Sequence, residues 1–324
     1  MSTPAGTVLA LRALGLGDAL TGVPALRGLR RAFPRARLVL AGPATLSTWL
    51  RDLGVVDAVL PTEGLTALAW TGPPPDVAVN LHGRGPQSHN LLRALRPGRL
   101  IAFRPPEASP ADGPPWPEND HEVERWCALA RWAGGWCDAE DLRLPPLPRA
   151  PHVVVHPGAA SPSRRWAAER WAAVVAALAA DGHDVVVTGT PSEAELCAQV
   201  AAADPRAVDG CGRYDVAALA QLVGSAALAL CGDTGVAHLA TAYGTPSVLL
   251  FGPTPARTWG PLVDPQLHKV LWHPRPGDPP GDPHGATTDV RLARTTVSEV
   301  LAAASELLAS LLDPVVSRPR APLP

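Results

Sequence analysis

The stretch CGDTGVAHLATAYGTPSVLLFGP, residues 231–253, decides the fold. The apolar run 226–230 leading into it reads as a strand that ends at Gly232-Asp233-Thr234-Gly235, and residues 236–243 then carry apolar side chains at helical spacing. Gly244-Thr245-Pro246 stops that helix, and residues 247–251 return as a strand before Gly252-Pro253 breaks it. The result is a compact βαβ unit. Its turn leaves the backbone N–H groups of Thr234, Gly235 and Val236 at a helix N-terminus, where the unpaired donors and the helix dipole favour an anion such as phosphate.

Working outward, the same rhythm fills both halves of the chain. In the second half, residues 152–156 (HVVVH) read as a buried strand and 157–161 as a turn, after which Ser163-Arg164-Arg165-Trp166 leads into a helix over 168–181. A strand at 184–187 and helices at 192–202 and 216–223 lead to the opening unit. Residues 259–289, dense in Pro, Gly, Asp and His, read as an exposed loop, 297–312 as an amphipathic helix, and 313–324 as a disordered Pro-rich tail. In the first half, strands are expected at 7–11, 37–41, 58–60 and 76–81, with helices at 19–33, 44–53, 89–95 and 121–133. Trp126 and Trp132, spaced by helical turns on the last of these, are expected to pack. Residues 142–151 (LRLPPLPRAP) are the clearest linker, so the domains are set at 1–147 and 148–312. Two such α/β halves imply a ligand-binding cleft between them.

Composition narrows the function. A formal net charge of −2 weighs against a nucleic-acid binder that relies on non-specific phosphate contacts. No apolar run approaches the roughly 18 residues needed to cross a bilayer, and the N-terminus enters a strand pattern without a cleavable signal, so a cytoplasmic protein is expected. Arg27, Arg30, Arg31, Arg35 and Arg37 make the end of the first helix basic; a solvated face is the plain reading, and attraction to an anionic acceptor or to the inner membrane surface is the other. Five cysteines without a CxxC pair fit neither a disulfide framework nor a zinc site and read as small buried residues. His268, His273 and His284 lack metal-site spacing, so no metal is expected.

Two turns of the second half present anion sites. Gly158 allows a sharp turn beside Arg164 and Arg165, whose permanent charges suit phosphate; Asp233, Thr234, Gly235 and Val236 form the second turn. Against this stands the plain reading that Asp233 only caps its helix and the arginines are surface residues. His238, about one turn into the helix, reads either as packing or as a phosphate contact. Asp18, after Gly17 at the first strand-to-helix turn, has two readings as well: the helix N-cap, or a catalytic base at the carboxyl edge of a parallel sheet. Gly17, His82 and Arg84 are candidates on the acceptor side. Leu20 stands where a dinucleotide fingerprint needs its third glycine, and there is no GxxxxGK[ST] loop or nucleophile elbow.

Taken together, LGLGDALTGVPALRGLRRAFP (14–34), VVVHPGAASPSRRWAAERW (153–171) and CGDTGVAHLATAYGTPSVLLFGPT (231–254) resemble glycosyltransferase family 9, the ADP-heptose:lipopolysaccharide heptosyltransferases. The resemblance implies a GT-B fold of two Rossmann-like domains, with the acceptor held by the first and the nucleotide sugar by the second. It further implies inverting, metal-independent transfer to a glycan or glycolipid, with no cofactor beyond a nucleotide-diphosphate donor such as ADP-heptose. By the same resemblance Asp18 matches the general base, Arg164 stands at a lysine that contacts the diphosphate, and Asp233, Thr234, Gly235 and His238 match the donor motif. Arg164 for Lys, Asn80 for an acidic residue and the proline-rich stretch 102–117 depart from the pattern. A non-catalytic nucleotide-sugar binder and a GT-B epimerase are the rival readings.

Overall fold

The computed structural model describes residues 6–104 and 112–312; the expected tail lies outside them. The chain divides into two compact units between Arg143 and Leu144, slightly ahead of the expected boundary. Leu144 accounts for the difference: it is buried, and its N–H donates to the Ala242 carbonyl, 2.8 Å away, within the second unit.

The first unit runs β1 (Thr7–Leu11), α1 (Leu16–Thr21), α2 (Val23–Ala32), β2 (Arg37–Gly42), α3 (Ala44–Asp52), β3 (Ala58–Pro61), β4 (Val77–Asn80), α4 (Gln87–Arg93), β5 (Arg99–Ile101) and α5 (Glu122–Trp132). Its sheet is parallel, in the order β3-β2-β1-β4-β5. The single helix expected over 19–33 is two helices broken at Gly22. Pro24 lies in the first turn of α2; it has no N–H to continue α1 and its fixed φ suits a helix start. Strand β5, absent from the sequence reading, is only three residues long, too short for alternation to show. Trp126 is buried against Phe103 and Trp116, at 5.7 and 5.9 Å between ring centroids. Trp132, also expected to pack, is 48 % exposed and bonds Asp112 through its indole N–H.

The second unit runs β6 (Val153–His156), α6 (Ala168–Ala180), β7 (Val185–Val187), α7 (Ala194–Ala201), β8 (Val208–Asp209), α8 (Val216–Ser225), β9 (Leu228–Gly232), α9 (Gly235–Ala242), β10 (Ser247–Leu250), α10 (Ala256–Trp259), β11 (His268–Leu271), α11 (Val290–Ala293) and α12 (Val297–Leu312). The order β11-β10-β9-β6-β7-β8, all parallel, is the Rossmann winding, with the connection reversing direction between β6 and β9. Val153, Val155, Leu228 and Leu230 share its core with Trp166 and Trp171, whose rings meet edge to face at 5.1 Å. The loop expected over 259–289 contains β11, because Val270 and Leu271 extend the parallel ladder of β10; the dense Pro and Gly begin only after it.

Glycine sets one close approach in the first unit. An added Cβ at Gly135 would lie 2.0 Å from the Gly28 carbonyl oxygen on α2, so the chain after α5 meets α2 backbone to backbone. Gly135→Ala should therefore destabilise the full chain by about 3 kcal/mol, read as a lower urea midpoint; an unchanged midpoint would show that these segments separate freely.

Candidate functional site

Parallel α/β sheets open a crevice at the carboxyl ends of the strands on either side of the point where the winding reverses. In the second unit these strands are β6 and β9, paired through His156 and Cys231. The turn after β6 carries Gly158, Arg164 and Arg165; the turn after β9 carries Asp233 and Thr234. Arg164 spans the two. Its Nη1 donates to the Asp233 carbonyl at 3.2 Å and lies 3.9 Å from the buried Asp233 carboxylate. The turns are close enough that a Cβ at Gly232 would sit 3.2 Å from the Arg164 carbonyl oxygen.

Thr234, and not Asp233, is the N-cap of α9, and it makes no side-chain cap bond. Thr234 Oγ1 is buried without a hydrogen-bond partner, its polar neighbour being the Cys231 thiol, which burial pushes up to about 12. Arg164 Nε is also buried and unbonded. A buried donor and hydroxyl left this way beside the N-terminus of α9 suit an incoming anion, since burying polar groups unsatisfied is costly. Gly235 and Val236 open α9. His238, one turn in, is buried and meets the Trp259 ring edge to face at 5.7 Å, so packing accounts for part of its placement. Arg165 turns back instead, its Nε donating to the Ala159 carbonyl at 2.8 Å.

Gly158 has a use the sequence did not disclose. A Cβ there would lie 2.1 Å from Glu193 Oε1, so the Glu193 carboxylate fills that space. Glu193 Oε2 accepts from the Thr190 N–H at 2.8 Å and its hydroxyl at 2.9 Å, a capping box foreshadowed by the spelling Thr-Pro-Ser-Glu. His156, at the end of β6, shares a 3.0 Å hydrogen bond with Thr188, and burial holds its pKa below the ordinary value against the opposing pull of Glu193. The Thr-x-x-Glu spelling was the available signal for Glu193; its approach to Gly158 and the His156–Thr188 bond are contacts between separate strand ends that no local spacing encodes.

In the first unit the reversal lies between β1 and β4. Asp18 is the third residue of α1, whose N-cap is Gly15, so the expected N-cap role is not the one it holds; Gly17 precedes it in the same first turn. Asp18 Oδ1 lies 3.7 Å from the buried guanidinium of Arg12. His82, in the turn after β4, accepts the Ala13 N–H on Nδ1 at 3.2 Å, and burial followed by nearby Arg12 lowers its pKa, keeping it neutral near pH 7. Arg84 is brought to neither group; it is exposed and pairs with Glu118 at 3.2 Å. The basic end of α2 is paired in part: Arg30 pairs with Asp57 and Arg31 with Asp141, Arg27 bonds the Asp141 and Arg143 carbonyls, and Arg35 and Arg37 are exposed. Among the described residues no three His, Cys, Asp or Glu side chains gather as a metal site.

Residues 115–275 match the model of glycosyltransferase family 9 (heptosyltransferase). The chain carries a glycosyltransferase family 9 domain. It is similar to lipopolysaccharide heptosyltransferase 3 of Escherichia coli, 29 % identical over 168 residues, an alignment covering 49 % of this chain and 47 % of that relative. The match thus spans about half the length of the curated relative. Among solved structures, E. coli ADP-heptose lps heptosyltransferase II superposes with a TM-score of 0.78 at 20 % identity, covering 95 % of this chain and all of the other. The E. coli heptosyltransferase WaaC with ADP superposes with a TM-score of 0.69 at 18 % identity, covering 93 % of this chain and 99 % of that one. A family 9 structure from Veillonella parvula DSM 2008 gives 0.76 at 17 %, over 96 % of this chain and 99 % of the other. At these identities the likeness is one of fold, and the fold is GT-B. Both turns of the second unit fall inside the family 9 domain; Asp18 lies ahead of it.

His82, His89 and His156 titrate below their ordinary value through burial, and His268 is pushed down to about 4. A lowered histidine stays neutral in the folded state while the unfolded chain takes up its proton, so stability should fall as pH drops from about 6.5 toward about 4. Urea midpoints measured across that range should decline, and His268→Gln should flatten the decline.

Proposed function

We propose that the chain is an inverting, metal-independent glycosyltransferase that moves a sugar from a nucleotide-diphosphate donor to a hydroxyl of a glycan or glycolipid acceptor. The observation that carries this reading is the Arg164–Asp233 turn pair at the N-terminus of α9, with Arg164 Nε and Thr234 Oγ1 buried and unbonded beside it. The family 9 match and the names of the relatives support a heptose on ADP as the first donor to try, and a lipopolysaccharide core saccharide as the first acceptor.

In this reading Asp18 accepts the proton of the acceptor hydroxyl as that oxygen attacks the anomeric carbon, and the bond to the diphosphate breaks in the same displacement. Negative charge gathering on the departing diphosphate is met by Arg164 and the backbone N–H groups opening α9. No cofactor other than the donor enters the scheme. No described helix is long and apolar enough to cross a membrane. With a glycolipid acceptor the enzyme would work in the cytoplasm at the inner membrane face, and with Arg30 and Arg31 paired with acids, Arg35 and Arg37 are the exposed arginines of this basic stretch left to meet that surface.

Asp18→Asn should abolish ADP release from ADP-heptose and acceptor while ADP still binds; near-normal turnover would remove the role of base, whereas ADP binding with no release by the unaltered chain would favour a non-catalytic binder or an epimerase. Arg164→Ala should weaken ADP binding about 10- to 100-fold, the loss of a charge-assisted hydrogen bond to phosphate. Titration calorimetry with ADP reads it, and unchanged affinity would place the diphosphate elsewhere.

A further inference from the structure

We infer that Arg12 is a positioning residue for the Asp18 carboxylate, an inference that rests on reading Asp18 as the acceptor-side base. Arg12 ends up 2 % exposed immediately after β1, and a charge so deep persists only where its donors are met. Its Nε donates to the Asp18 carbonyl and its Nη1 to the Leu81 carbonyl. Nη2 donates to Thr21 Oγ1 at 2.9 Å and to Glu122 Oε1 at 3.4 Å, and the same nitrogen lies 3.7 Å from Asp18 Oδ1. One planar group thus ties the end of β4 to both ends of α1. That helix has only six residues, too few to hold its own geometry.

The guanidinium is itself held in place. Glu122 accepts the Trp126 indole N–H at 2.6 Å and pairs with Arg125, while the Trp126 ring lies 4.8 Å from the Arg12 guanidinium carbon. A lysine would restore the charge but not the fork that reaches two carbonyls and a hydroxyl together. Gly22 supplies an independent sign. Its φ of −83° and ψ of −16° are open to any residue, yet a Cβ there would sit 2.6 Å from Arg12 Cδ and 2.8 Å from Nε. The glycine is required by the arginine crossing it, not by the backbone.

Ionisable groups on the elements packed against α1 are engaged with one another. Arg51 pairs with Asp52 on α3, Arg30 and Arg31 of α2 pair with Asp57 and Asp141, Arg27 bonds backbone carbonyls, and Glu124 pairs with Arg131 on α5. His82, in the neighbouring turn, is neutral near pH 7. Arg12 thus brings a buried positive charge to within 3.7 Å of the Asp18 carboxylate, offset by Glu122 behind it.

Carboxyl-13C aspartate incorporated into the full chain, with Asp18→Asn identifying the resonance, reads the Asp18 titration without any ligand. Arg12→Met should raise the midpoint by about one pH unit, the effect of losing a unit charge near 4 Å from a partly exposed carboxylate. Arg12→Lys should raise it less. Gly22→Ala keeps every charge and displaces Arg12, so it should raise the midpoint too, and it decides the matter alone where Arg12→Met fails to fold. An unmoved midpoint in folded Arg12→Met, or in Gly22→Ala, overturns the inference. Near-normal turnover by Asp18→Asn would overturn the base reading instead and leave the titration result standing.

Discussion

Each sheet pairs its strands in parallel and reverses its winding once, and this reversal is the constraint on which everything else depends. Helices that leave neighbouring strands toward opposite faces cannot close over the strand ends between them. The gap falls after β1 and β4 in the first unit and after β6 and β9 in the second. Asp18 and His82 occupy the former, Arg164 and Asp233 the latter. Residues distant in sequence become neighbours within each unit because of strand order alone.

Filling those gaps with charge demands room, and glycine provides it three times. Gly22 lies under Arg12, Gly158 under the Glu193 carboxylate, and Gly232 against the carbonyl of Arg164. In none of these is a left-handed backbone the reason. At Gly22 and Gly158 the missing side chain lets a charged side chain pass close to the main chain, and at Gly232 it lets the Arg164 main chain itself come close. The same turns leave Arg164 Nε and Thr234 Oγ1 buried and unbonded, an arrangement that a bound anion would complete.

How much of this could be read from the sequence depended on period and length. Strands such as Val153–His156 and helices such as Val297–Leu312 declared themselves, because three valines in a row or a sustained helical stripe leave few alternatives. Strand β11 was hidden by the proline and glycine that follow it, and the break at Gly22 by a helical pattern that continues across it. Arg164 and Asp233 were legible as anion-site candidates from their turns, and their direct contact follows from the β6–β9 pairing. Arg12 and Glu122 were not, since they meet across more than a hundred residues, and no local spacing encodes a contact of that kind.

The almost complete use of arginine for positive charge has a practical side. Lys269, on β11, carries the only side-chain amine in the chain, and it is paired with Glu306 on α12. An amine-directed dye or crosslinker would thus mark a single side chain, at the edge strand of the second sheet, and leave the guanidinium groups at both strand-end gaps chemically untouched. The molecule has a built-in attachment point for following its second unit.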